Sequence, residues 1–114
     1  MIGIFRCNFC HCIQALAALG SLGYSQQWQN VLGSRAYNVT YYNTTGKPIG
    51  VNVGGNTNTS ATAFMTINGV NIAGSSESGN PSYGAIFAVV PVGGSYSAYF
   101  NLGTPSLTLW AELR

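Results

Sequence analysis

The chain has 114 residues, of which 46% are hydrophobic but only 5% charged, and its formal net charge is +2. One domain is expected at this length, and so much apolar residue with so little charge is the reverse of a disordered composition. The four cations, Arg6, Arg35, Lys47 and Arg114, form no basic stripe, which argues against a nucleic-acid partner.

Residues 1–22 differ in kind from the rest. All three cysteines and the single histidine fall between Cys7 and Cys12. Cys7, Cys10 and Cys12, with His11, are soft ligands in type. Zinc usually needs a second, separated pair of ligands, and no Cys or His follows Cys12, so no metal or other cofactor is expected. Ile13, Leu16, Ala17 and Leu19 recur at helical intervals, which favours a short helical leader or connector. A cleaved secretory signal is the second reading, although Asn8, His11 and Gln14 interrupt its apolar run. The stretch is short of the ~20 apolar residues needed to span a bilayer, so membrane insertion is not expected. Domain organisation is read as a leader over 1–22 and a folded body over 23–114.

From Tyr24 the pattern changes. Gln26 to Gln29 surround Trp28, an amphipathic aromatic expected to anchor the segment to the body or to a neighbouring chain. Residues 34–43 are rich in β-formers and predict a strand. Gly46 and Pro48 mark a turn. Ile49, Val51 and Val53 alternate with polar or small residues and predict a half-buried strand, followed by a polar loop over 54–60. Ala61, Ala63, Met65 and Ile67 alternate likewise and lead into Asn68-Gly69, a strong hairpin signal. Val70 and Ile72 continue on the return, and 74–82 reads as a second polar loop. The apolar run 83–91 predicts a central strand. Tyr96, Ala98 and Phe100 alternate in the next. In the last, Leu107, Leu109 and Ala111 are expected on the inner face, with Thr108, Trp110 and Glu112 opposite. Tyr37, Phe64, Tyr99 and Trp110 would then lie on outer faces that need cover.

Short strands with turn signals every ~8–12 residues predict an all-β fold. The expectation is a β-sandwich, jelly-roll-like, of seven or eight short antiparallel strands, with helix confined to the first ~35 residues. No catalytic constellation is visible. The acids are Glu77 and Glu112 and there is no Asp, so a carboxylate pair would require both in one cleft. Glu112 is expected to pair with Arg35 or Arg114 at a strand end. Asn38, Asn43 and Asn58 open Asn-x-Ser/Thr sequons, which are expected as chance matches in a chain rich in Asn and Thr.

An ordered series of short motifs carries a resemblance. Leu22-Gly-Tyr-Ser-Gln-Gln-Trp-Gln is followed by Gly33-Ser-Arg-Ala-Tyr37 and Thr40-Tyr-Tyr-Asn-Thr-Thr-Gly-Lys-Pro-Ile49. Ile67-Asn-Gly-Val70, the Val90-Pro91 step and Leu109-Trp-Ala-Glu-Leu-Arg114 come after them. Over residues 22–114 the series resembles a C-terminal β-sandwich module of tailed-bacteriophage and prophage tail-fibre proteins. The resemblance implies a homotrimer at the fibre tip of the virion that meets a host-surface glycan or outer-membrane component without catalysis. Ligand contacts are expected from Asn56, Asn58, Asn80, Tyr83 and Tyr96. Trp28, Arg35, Tyr37 and Trp110 are expected as oligomer or packing anchors. The alternatives are a purely structural trimerisation or capping module and a secreted carbohydrate-binding protein.

Overall fold

A computed structural model describes residues 21–57, 61–77, 82–100 and 106–114. Its elements are β1 (Trp28–Asn30), a 3-10 turn (Leu32–Ser34), β2 (Tyr41–Tyr42), β3 (Ile49–Thr57), β4 (Ala61–Ile67), β5 (Val70–Glu77), β6 (Ser82–Val90), β7 (Ser95–Phe100) and β8 (Ser106–Leu113). They form two antiparallel four-stranded sheets, ordered β1-β8-β3-β6 and β2-β7-β4-β5. Only β4 and β5 are both consecutive and hydrogen-bonded; every other connection passes from one sheet to the other. The expected all-β, two-sheet architecture is therefore present. The expected helical leader over 1–22 lies outside the described residues except for Ser21 and Leu22, which sit in a bend and a turn.

Alternation explains where the core lies. Successive side chains of a strand point to opposite faces. Ile49, Val51 and Val53 of β3, with Ile86, Ala88 and Val90 of β6, turn inward from one sheet. Ala63, Met65 and Ile67 of β4, with Tyr96 and Ala98 of β7, meet them from the other, and Trp110 is buried among them. The β4–β5 turn is the one its residues require. Ile67 pairs with Val70, and Asn68 (φ 51) and Gly69 (φ 81) both adopt the left-handed conformation of a type I′ turn.

Four expectations are corrected. The strand over 34–43 shrinks to Tyr41–Tyr42. The reason is positional: Val31 N–H donates to Trp110 O in one sheet, while Asn38 N–H donates to Ala98 O in the other. The chain between them crosses from sheet to sheet, with Asn38 at φ 63, and cannot extend a ladder. The polar stretch around Trp28 instead forms β1, which pairs with β8 from Trp28↔Leu113 to Asn30↔Ala111. The loops expected at 54–60 and 74–82 are shorter, because β3 runs to Thr57 and β5 to Glu77. Finally, β6 is an edge strand rather than a central one, and its alternate residues Phe87 and Val89 face solvent.

The largest departure is in β8. Gly54 pairs with Leu109 but Gly55 with Leu107, so Thr108 is an extra, bulged residue. A bulge shifts the side-chain phase by one. Leu107 therefore packs against the core, and the residues turned inward beyond the bulge are Trp110 and Glu112, while Leu109 is exposed. Gly55 permits the close approach, since a Cβ there would lie 2.9 Å from the Ser106 carbonyl oxygen.

Candidate functional site: a locked charge network between two uncharged faces

The phase of β8 places a carboxylate inside an apolar sandwich. Glu112 is 1% exposed, and a buried charge persists only when its lone pairs are met. Oε2 accepts from Arg35 Nε at 3.0 Å and from the Tyr96 hydroxyl. Oε1 accepts from Arg35 Nη2 at 3.2 Å and from Arg114 Nη1 at 2.8 Å. Trp110 Nε1 donates to the Tyr96 oxygen at 3.2 Å, so the indole's polar atom is satisfied. The Arg35 guanidinium also lies 4.6 Å from the centroid of the Tyr41 ring, a favourable cation–π position.

The electrostatics follow from this packing. Burial pushes the Glu112 carboxyl upward, but the hydrogen bonds and charges of Arg35, Tyr96 and Arg114 outweigh it and hold it below the usual carboxylate value. Burial, reinforced by the bond to Glu112, drives the Tyr96 hydroxyl well above its ordinary value. Arg35 loses from burial and gains more from Glu112 and Tyr96, so its affinity for its proton rises. A carboxylate with four donors is poorly suited to take a proton from a substrate. The network's chemistry is structural: it pins the crossing segment, through Arg35, to both sheets.

Asn43 is a second buried polar centre, 2% exposed. Its Nδ2 donates to the carbonyl oxygens of Lys47 at 2.6 Å, Val90 at 3.2 Å and Pro91 at 3.1 Å. Its Oδ1 accepts from Thr45 N–H and Thr45 Oγ1. This amide ties the turn after β2 to the turn after β6, and a nitrogen so engaged is no glycan acceptor in the folded chain. The sequon at Asn38 is exposed, and the one at Asn58 lies outside the described residues.

The predicted site residues do not converge. Asn56 is exposed at the end of β3, opposite Tyr83 of β6 in register; the side chain of Tyr83, like Asn58 and Asn80, lies outside the described part. Tyr96, expected to stack on a ligand, is corrected: it is 2% exposed and built into the core. Among the expected anchors, Arg35 and Trp110 are internal to the sandwich. Trp110 is therefore not an outer-face aromatic awaiting cover. Tyr37 packs on Phe100 and Trp110, with ring centroids 5.0 and 6.0 Å away. Trp28 remains 53% exposed and meets Phe87 edge-on at 6.3 Å. Cys7, Cys10 and Cys12 lie outside the described residues, among which no group of three potential ligands could hold a metal. No helix among the described residues is long and apolar enough to cross a membrane.

The two outer faces differ. On the β1-β8-β3-β6 sheet, Trp28, Phe87, Val89 and Leu109 are exposed, and the Phe87 ring lies against Gly50, where a Cβ would come within 3.2 Å of it. On the β2-β7-β4-β5 sheet, register sets Tyr99 beside Phe64 beside Gly74, and Ser97 beside Thr66 beside Asn71. Phe64 and Tyr99 stack at 5.0 Å, which covers part of each ring. The void between the sheets near Tyr37 and Phe100 measures about 10 Å³ and is walled mainly by apolar groups, too small for any ligand larger than water.

Fold and site together define a two-sheet all-β module in which the described charged side chains bond within the chain. Comparison with known protein families, curated proteins and solved structures finds no match for this chain.

Proposed function

We propose that the chain is a non-enzymatic receptor-binding module of the tail-fibre type. In this reading it stands as a homotrimer at the fibre tip of a virion and recognises a host-surface glycan or outer-membrane component. One observation carries the reading. The charged side chains described, Arg35, Lys47, Glu112 and Arg114, all bond within the chain. The outward residues named on both sheets are uncharged. A surface of this kind suits neutral, hydrogen-bonding partners. The strand order supports the finer, jelly-roll description: eight strands in two sheets with cross-sheet connections, an architecture that recurs in viral capsid and lectin domains. That support is analogy of fold; the motif series from Leu22 to Arg114 adds to it. The test is adsorption of the purified chain to intact cells of candidate hosts. Saturable binding blocked by soluble surface polysaccharide is expected, and no adsorption to any host would overturn the reading.

A second reading, a structural trimerisation or capping module, is favoured by the exposed apolar row on the β1-β8-β3-β6 sheet, since such patches commonly mark association surfaces. Sedimentation of the wild type and Phe87→Ser separates the two. Dissociation of a trimer with adsorption unaffected supports receptor binding; a stable trimer that adsorbs to nothing supports the structural role.

A further inference from the structure

Deepening the receptor-binding reading, on which it rests, we infer that the outer face of the β2-β7-β4-β5 sheet, rather than the loops, is a binding surface for a neutral hexose oligosaccharide. Two rows of side chains make it. In the first, Tyr99 and Phe64 are strand neighbours stacked at an interplanar angle of 21°, and Phe64's partner on the far side is Gly74. A Cβ at Gly74 would sit 3.6 Å from the Phe64 ring. Its absence leaves that side of Phe64 free of any side chain from position 74, on an edge strand open to solvent. In the second row, exposed Asn71 accepts at Oδ1 from Thr66 Oγ1 at 2.7 Å and from the Tyr99 hydroxyl at 3.2 Å. Both its hydrogen bonds among the described residues go to Oδ1, which commits the oxygen and leaves the Nδ2 donor pair for a ligand.

A pyranose ring matches this pairing. One face presents C–H groups, which pack on an aromatic ring, and its rim presents vicinal hydroxyls, which an amide and neighbouring serine and threonine hydroxyls can bond. The face has no charged side chain among the residues that the register places on it. An anionic sugar would find no cation there, so charge complementarity selects a neutral one. A second copy of the chain fits less well, because closing on Ser97, Thr66 and Asn71 would strip water from polar groups without replacing it.

The test uses the full chain on an array of neutral and sialylated oligosaccharides, with Asn71→Ala, Gly74→Val and Asn56→Ala beside the wild type and folding checked by circular dichroism. The wild type should bind neutral oligosaccharides, and Asn71→Ala and Gly74→Val should each weaken binding about tenfold or more, the scale of one lost contact. If Gly74→Val unfolds the chain, Asn71→Ala at its exposed position decides. Wild-type binding that only Asn56→Ala abolishes overturns the sheet-face site and leaves receptor binding standing, as does adsorption to cells with no neutral glycan bound. Binding to neither glycans nor cells overturns both.

Discussion

Arg35→Ala is the sharpest perturbation of the sandwich. It removes both guanidinium bonds to a carboxylate that is 1% exposed and leaves Glu112 to Tyr96 and Arg114. Breaking a buried ion pair from one side costs about 3–5 kcal/mol, chiefly because the other charge stays buried. The Arg35 side chain is 16% exposed, so water reaches the vacated position and about 2–3 kcal/mol is expected. For a domain of this size that is a fall in Tm of roughly 10–20 °C. The assay is urea unfolding of Arg35→Ala, Glu112→Ala and the double variant, read as midpoint shifts at constant slope. The double variant should cost less than the sum of the singles by about 1.5 kcal/mol or more, since each single strands the other's partner. An Arg35→Ala cost below about 1 kcal/mol, the range of a surface pair, would refute the buried network.

Four further outcomes follow from the structure. Because Glu112 is held below its ordinary value of 4.5, its contribution should be full above that pH and lost as pH falls through the lower folded value; Glu112→Gln should flatten this acid limb in a pH series of melting temperatures. Because Tyr96 is raised above 10.0, stability should fall as pH rises beyond 10, a loss that Tyr96→Phe removes. Asn43→Ala removes the amide donor shared by three carbonyls and the acceptor of Thr45 N–H, while Lys47 O keeps the Thr45 hydroxyl and Pro91 O keeps Gly94 N–H. It should cost about 1–3 kcal/mol by urea unfolding. Gly69→Val, at φ 81 in the hairpin turn, should cost about 1–2 kcal/mol by the same measurement, with the outer-face residues untouched.

Much of the sheet architecture was legible locally. Ile49-x-Val51-x-Val53 and Ala63-x-Met65-x-Ile67 needed only a period of two, and Asn68-Gly69 carried its own turn geometry. What was not legible depended on distant partners. The inward turn of Trp110 and Glu112 follows from one bulged residue, Thr108, permitted by the missing Cβ of Gly55 across the ladder. Nothing in Leu107-Thr-Leu-Trp-Ala-Glu marks that shift, and plain alternation puts every residue beyond it on the wrong face. The pairing of Glu112 with the arginines was within reach because the chain has so few charges; its depth was not. Arg35's descent to Glu112 likewise requires residues 35–40 to cross between sheets, which overrides the β-propensity of Tyr37 and Val39. Asn43 read as a turn residue and a sequon, because its carbonyl partners Val90 and Pro91 lie far along the chain.

The central claim is that the chain meets its partner through uncharged surfaces, its described charges being engaged internally. Salt dependence tests this most directly. Affinity for intact host cells or isolated surface polysaccharide should stay within about twofold as salt rises from ~50 to ~500 mM, because screening acts on charge pairs across the interface and the described charged side chains bond within the chain. A tenfold or greater loss over that range, or no binding at any salt concentration, would contradict the account.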